Sequence, residues 1–258
     1  MVVTQAPIQF RTAPLKITWE KLPDNYKLEE EPVDNTGQPL IAGALRETLE
    51  LIGFIKPEML IASNLGLCAT VDGQLVIKAP DWVYVSSVEP LAVAKARRSY
   101  TPNLEGEVPE IVMEFLSETE GGEYSVKRTY PPGKWFFYEQ ILKVKTYVIF
   151  EPEGGLLEVY RLQEERYQLE IPNEHGRHWI PEMRLFLGTW RGKKEEETTY
   201  WLRWWDEAGN LLPWAVEQIE IERQRAEREA QRAEREAQRA ERLAEYLRSQ
   251  GINPDELS

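Results

Sequence analysis

The sequence predicts an α/β protein: a mixed β-sheet flanked by helices, followed by a long C-terminal helix with heptad spacing. Short strands rich in β-branched and aromatic residues recur from about residue 69 to 171, and a single helical stretch separates two of them. An amphipathic segment precedes these strands. Beyond residue 213 the composition changes to a repeat of Ala, Arg, Glu and Gln.

Residues 1 to about 38 form an irregular lead-in, with Pro7, Pro14, Pro23 and Pro32 and the turn-forming Asp34-Asn35-Thr36-Gly37. Leu40 to Ile55 reads as an amphipathic helix, because Leu40, Ala44, Leu45, Leu49 and Leu51 fall near one face and Pro39 suits its start. Asp72-Gly73 between Ala69-Thr70-Val71 and Gln74-Leu75-Val76-Ile77 predicts a β-hairpin with a two-residue turn. A strand over 82–87 follows Pro80-Asp81. The stretch 88–108 is expected to be a surface connection carrying a local basic cluster of Lys95, Arg97 and Arg98.

A strand over 110–116 holds a carboxylate, Glu114, among Ile111, Val112, Met113, Phe115 and Leu116. A polar loop over 117–122 comes next. After Pro131-Pro132-Gly133, residues 134–142 read as a helix, and Thr146 to Phe150 as the following strand. Leu156–Arg161 and Arg166–Ile171 alternate as later strands, paired antiparallel. One crossover helix among these strands implies a mixed sheet with helices against it.

From Glu217 to Arg248 there are nine glutamates and eight arginines. Gln224 to Ala230 repeats as Gln231 to Ala237 and nearly again from Gln238. Alanines at 226, 230, 233, 237, 240 and 244 alternate spacings of four and three, with Leu212, Val216, Ile219 and Leu247 on the same seam. Two units are therefore expected, 1–213 and 214–258. The tail is either a solvated single helix held by Arg/Glu contacts or a coiled coil giving a homo-oligomer through 212–247.

The chain has 258 residues, 44 acidic and 31 basic, for a net charge of -13. Such a balance argues against a broad nucleic-acid face, since phosphate neutralisation by a basic surface normally supplies most of that affinity. Any nucleic-acid contact is expected to be local, aided by divalent ions, or supplied by another subunit. The single cysteine, Cys68, excludes an intramolecular disulfide framework. With neither a secretion pattern at the start nor an apolar run of membrane-spanning length, the expectation is a cytoplasmic protein.

Asp81, Glu114 and Lys134 are the candidate site residues. A carboxylate in a buried strand is costly unless a metal or a cation compensates it. Taken singly, each has an ordinary alternative: turn chemistry for Pro80-Asp81, an ion-paired strand residue for Glu114, a solvated helix start for Lys134. His175 and His178 have ligand-like spacing but are read as surface loop residues without cysteine partners. Trp201, Trp204, Trp205 and Trp214 suit either a small core or base stacking.

These segments resemble the Uma2 family of the PD-(D/E)XK nuclease superfamily over roughly residues 15 to 200. The resemblance rests on Pro80-Asp81 before an apolar strand and on Glu114-Phe115-Leu116-Ser117. It continues in Lys134 with Tyr138 four residues later, with one extra residue before Val144. The pair of strands Thr146 to Pro152 and Leu157 to Arg161 completes it. Where the superfamily lysine usually stands, two positions after the glutamate, this chain has Leu116, and the resemblance takes the lysine from the helix at Lys134.

The resemblance implies a restriction-endonuclease-like fold and an endonuclease acting on DNA. Asp81 and Glu114 would share Mg²⁺, or Mn²⁺ in its place, and Lys134 would assist at the water or the phosphate. Glu30 or Glu47 would supply an accessory carboxylate. The alternative is a catalytically inactive nuclease-like module that associates through its heptad tail.

Overall fold

A computed structural model of the chain describes residues 14–21, 37–90, 97–117, 122–194 and 196–251. Two compact units divide at Leu212/Pro213. Helix α1 (Gly37–Leu51) begins three residues earlier than the pattern predicts and stops at Ile52-Gly53, where Gly53 takes a φ of 68°. Pro39 is tolerated because the first-turn N–H groups have no partner within the helix. Ile41, Ala42, Ala44, Leu45 and Leu49 are buried along one face, whereas Leu51, expected on it, is exposed where the helix ends.

Among the described residues the first unit holds three sheets. In the first, β1 (Ile17–Thr18) pairs with β3 (Gly66–Val71), which pairs with β4 (Gln74–Lys78). The hairpin turn is the expected one: Asp72 and Gly73 have φ of 51° and 80°, the left-handed pair that a two-residue type I′ connection needs. The connection after residue 88 is more than surface loop. Within it β6 (Ser99–Tyr100) adds a parallel pairing to β3, Tyr100 is buried, and Arg97 pairs with Glu105 at 3.0 Å. Lys95 lies outside the described residues.

The central six-stranded sheet has the order β10-β9-β8-β7-β5-β2. Its members are β2 (Leu60–Ala62), β5 (Trp82–Val85), β7 (Ile111–Phe115), β8 (Thr146–Glu151), β9 (Leu156–Gln163) and β10 (Arg166–Leu169). Only the central pair, β7 and β8, runs parallel. A parallel pair requires a crossover, and residues 134–142 supply it. This crossover starts as α2 (Lys134–Phe136) and widens into a π-helix over Phe137–Leu142. The π turn ends at Val144, whose N–H bonds the Tyr138 carbonyl at 2.9 Å after Lys143 turns left-handed.

Period-two alternation sorts the sheet's faces. Val83, Val85, Val112, Tyr147 and Ile149 join the crossover residues Phe137, Tyr138, Ile141 and Leu142 in one core with Leu67, Ala69 and Val76 of the first sheet. On the opposite face Trp82 meets Trp204 (ring centroids 6.3 Å) and Tyr84 meets Phe54 (5.9 Å). Trp204 belongs to the third sheet, in which β12 (Leu185–Lys194) pairs with both β11 (His178–Ile180) and β13 (Glu197–Trp205). Trp201, Trp204 and Trp205 are buried, so the stacking alternative for these three gives way to core packing. His178 is also buried on β11 rather than in a surface loop, whereas His175 is exposed.

The second unit is carried by α3 (Ala215–Ser249), which has no buried residue. Glu217 accepts the Trp214 N–H at 2.8 Å and closes the helix start. Among the described residues, no helix is long and apolar enough to cross a membrane.

Candidate active site

Asp81 immediately precedes β5, and Glu114 is the fourth residue of β7. The two strands pair antiparallel with Trp82 opposite Met113, so one step further along the register Asp81 stands opposite Glu114. Directly opposed residues project from the same face. That face is the one covered by the crossover helix, since Glu114 alternates with Val112 and Asp81 with Val83.

The ladder ends at Trp82, and the Asp81 carboxylate takes over its next rung. Oδ2 accepts the Phe115 N–H at 2.6 Å, while the Phe115 carbonyl accepts from the Gln38 side chain at 2.7 Å. The Asp81–Phe115 bond spans 34 residues rather than a local turn, and it holds the Asp81 carboxylate at the end of β7, beside Glu114.

Glu114 is 1% exposed, and each of its oxygens has a donor. Tyr138 donates its hydroxyl to Oε1 at 2.8 Å, and the Lys134 ammonium lies 3.1 Å from Oε2. Both donors come from the crossover helix, four residues apart on one face. Burial drives the Glu114 pKa up, Lys134 pulls it down, Asp81 pushes it up again, and the result is about 8. Burial opposes the charge on Lys134, but Glu114 and Glu123 outweigh it and hold the ammonium above the ordinary lysine range.

Glu123, not among the residues the sequence singles out, completes the cluster. Its Oε1 lies 3.0 Å from Lys134 Nζ, and its carbonyl accepts the Tyr147 hydroxyl at 3.0 Å. The only local signal is a carboxylate after Gly121-Gly122 in a polar stretch; nothing in its spacing points to the sheet, whose next strand, β8, begins 23 residues later. Of the two accessory carboxylates expected, Glu47 is bonded elsewhere, to Lys194 at 2.7 Å. Glu30 lies outside the described residues.

The donor set suits a hard divalent cation. Asp81 and Glu114 offer carboxylate oxygens side by side, and an ionised Glu114 at this depth is under-compensated, as its raised pKa records. Among the described residues no group of three or more His, Cys, Asp or Glu side chains forms a metal cage. One or two carboxylates completed by water and substrate oxygens is the usual setting for Mg²⁺, so the pair fits that ion better than a closed structural site.

The model of the Uma2 family, whose description reads "Putative restriction endonuclease", matches residues 41–191. The match takes in Asp81, Glu114, Glu123, Lys134 and Tyr138. No curated protein matches the chain.

Proposed function

The chain belongs to the Uma2 family, and on that premise we propose that it is an endonuclease hydrolysing DNA phosphodiester bonds with Mg²⁺, or Mn²⁺, held by Asp81 and Glu114. The observation that carries this reading is the contact of Lys134 with Glu114, 3.1 Å apart in a site that also holds Asp81. When bound, the ion would activate water and offset charge on the scissile phosphate. Tyr138 and Asp81's bond to the Phe115 N–H keep the two carboxylates in place.

Lys134 has a more restricted role than a general base. Its raised pKa leaves it an ammonium at neutral pH, so it has no lone pair with which to take a proton from water. It acts by placing positive charge where negative charge develops on the phosphate. Glu123 keeps that charge in position through its own contact at 3.0 Å.

The test is nicking of supercoiled plasmid DNA by the full chain with Mg²⁺ or Mn²⁺. Cleavage that disappears in Asp81→Asn, Glu114→Gln and Lys134→Gln supports the reading. Cleavage that survives all three substitutions places the activity elsewhere, and its absence from the unaltered chain with both ions contradicts the enzyme reading.

A second reading, an inactive module that associates through its tail, draws support from the exposure of Val216, Ile219 and Tyr246 along α3. Sedimentation of the full chain against a truncation at Gln218 tests it. An unchanged association state contradicts it.

A further inference from the structure

Helix α3 carries a second stripe besides its alanine seam. Arg225, Arg228, Arg232, Arg235, Arg239 and Arg242 follow one another at spacings of three, four, three, four and three. At 3.6 residues per turn they share one face, roughly opposite the seam, and extend over ~26 Å of helix. All six are exposed.

Ion pairs along the helix join Arg223 to Glu220 and Glu227, and Arg225 to Glu229. Arg228, Arg232, Arg235, Arg239 and Arg242 have no ion-pair partner among the described residues. Every cation from residue 213 onward is arginine, eight in all, whereas residues 1–212 contain twelve lysines and eleven arginines. Arginine's planar fork matches phosphate oxygens in pairs, which a lysine ammonium does not do.

We infer that this arginine face is a docking surface for the phosphate backbone of duplex DNA. The inference rests on the nucleic-acid reading of the chain given above. It also supplies what the first unit lacks, because residues 1–212 carry 33 acidic and 23 basic side chains.

A second copy of the chain fits this face poorly. A symmetric pair would set arginine against arginine. Pairing through the seam fares no better: Glu220, Glu227, Glu234 and Glu241 line one side of it, and Glu222, Glu229 and Glu236 the other. Either strand orientation brings glutamate against glutamate across the interface. A regular polyanion meets the arginine row itself without such a conflict, with Glu229 and Glu236 only along its edge.

The experiment measures fluorescence anisotropy of a labelled 20-base-pair DNA duplex of arbitrary sequence with the full chain, in EDTA, between 50 and 200 mM KCl. Replacing Arg228, Arg232, Arg235, Arg239 and Arg242 with glutamine should weaken binding at least about tenfold at 50 mM and flatten the plot of log affinity against log salt by about 4. Glutamine keeps helix propensity, and circular dichroism checks the helix. If that variant loses its helix, Gln224→Arg, Gln231→Arg and Gln238→Arg, beside the stripe, should instead steepen the slope by about 3.

An unchanged slope in a helical variant overturns the inference, as does failure of the unaltered chain to bind the duplex at 50 mM. Preference for an RNA duplex, or a change of sedimenting mass in the glutamine variant, overturns it too. Binding without cleavage when Mg²⁺ is added leaves this inference standing and counts only against the enzyme reading. Cleavage with an unchanged salt slope does the reverse.

Discussion

The Lys134 ammonium stands 3.1 Å from one oxygen of Glu114, which a position 20 residues earlier in the chain has buried in the middle of a sheet. Each residue makes the other's location tolerable. Glu114 would be an uncompensated charge without the lysine, and Lys134, largely withdrawn from water, would lose its proton more readily without Glu114 and Glu123.

Stability should depend on pH through Glu114. Its folded pKa of about 8 exceeds the ordinary 4.5, so the folded chain holds this proton more tightly than the unfolded chain. The associated stabilisation is complete below about 4.5 and is lost as pH rises to about 8. Glu114→Gln removes the titration. Relative to that variant the unaltered chain should lose stability between pH 5 and 9, by an amount on the order of a few kcal/mol. Urea unfolding of both proteins across that range checks the sign, and parallel curves would refute it.

Tyr138→Phe should strip Glu114 Oε1 of its donor without changing the ring packing against Tyr147, whose centroid is 5.2 Å away. The hydrogen bond lowers the Glu114 pKa, so its loss should raise that pKa further. The expected cost is about 1–2 kcal/mol near pH 8, where the carboxylate ionises, and less at pH 5. Denaturant unfolding at the two pH values reads the difference.

Glu123→Gln should leave the fold intact and reduce plasmid nicking by about tenfold, because Lys134 would lose one of the two anions that hold it. The loss is expected in kcat, with KM for DNA little changed. A change confined to KM would mean that Glu123 meets the substrate rather than positioning the lysine.

Much of this arrangement is legible in the sequence where the signal is local. Asp72-Gly73 specifies its turn, apolar and β-branched runs specify β7 and β8, alternation specifies β9 and β10, and the helical stretch between two apolar strands specifies the parallel crossover. Asp81, Glu114 and Lys134 stand out because each interrupts or punctuates an apolar segment. The structure brings Lys134 to Glu114, and the strand register sets Asp81 opposite Glu114.

What escaped the sequence reading depends on packing between distant segments. Glu123 acquires its meaning only when its loop folds over the sheet and Tyr147 binds its carbonyl. Glu47 has helical spacing suited to several roles, and the choice falls to Lys194, 147 residues away. His178 looked like a loop residue among prolines, but pairing of β11 with β12 buries it. The π turn over Phe137–Leu142 is an intermediate case: a helix is legible there in the sequence, but its π form is not.

Manganese binding to the full chain, followed by electron paramagnetic resonance at pH 8, tests the paired-carboxylate site most directly. One ion per chain should bind, with affinity falling at least about tenfold in Asp81→Asn and again in Glu114→Gln. Equal binding by the unaltered chain and both variants, or no binding by any of them, would contradict a cation site built from these two residues.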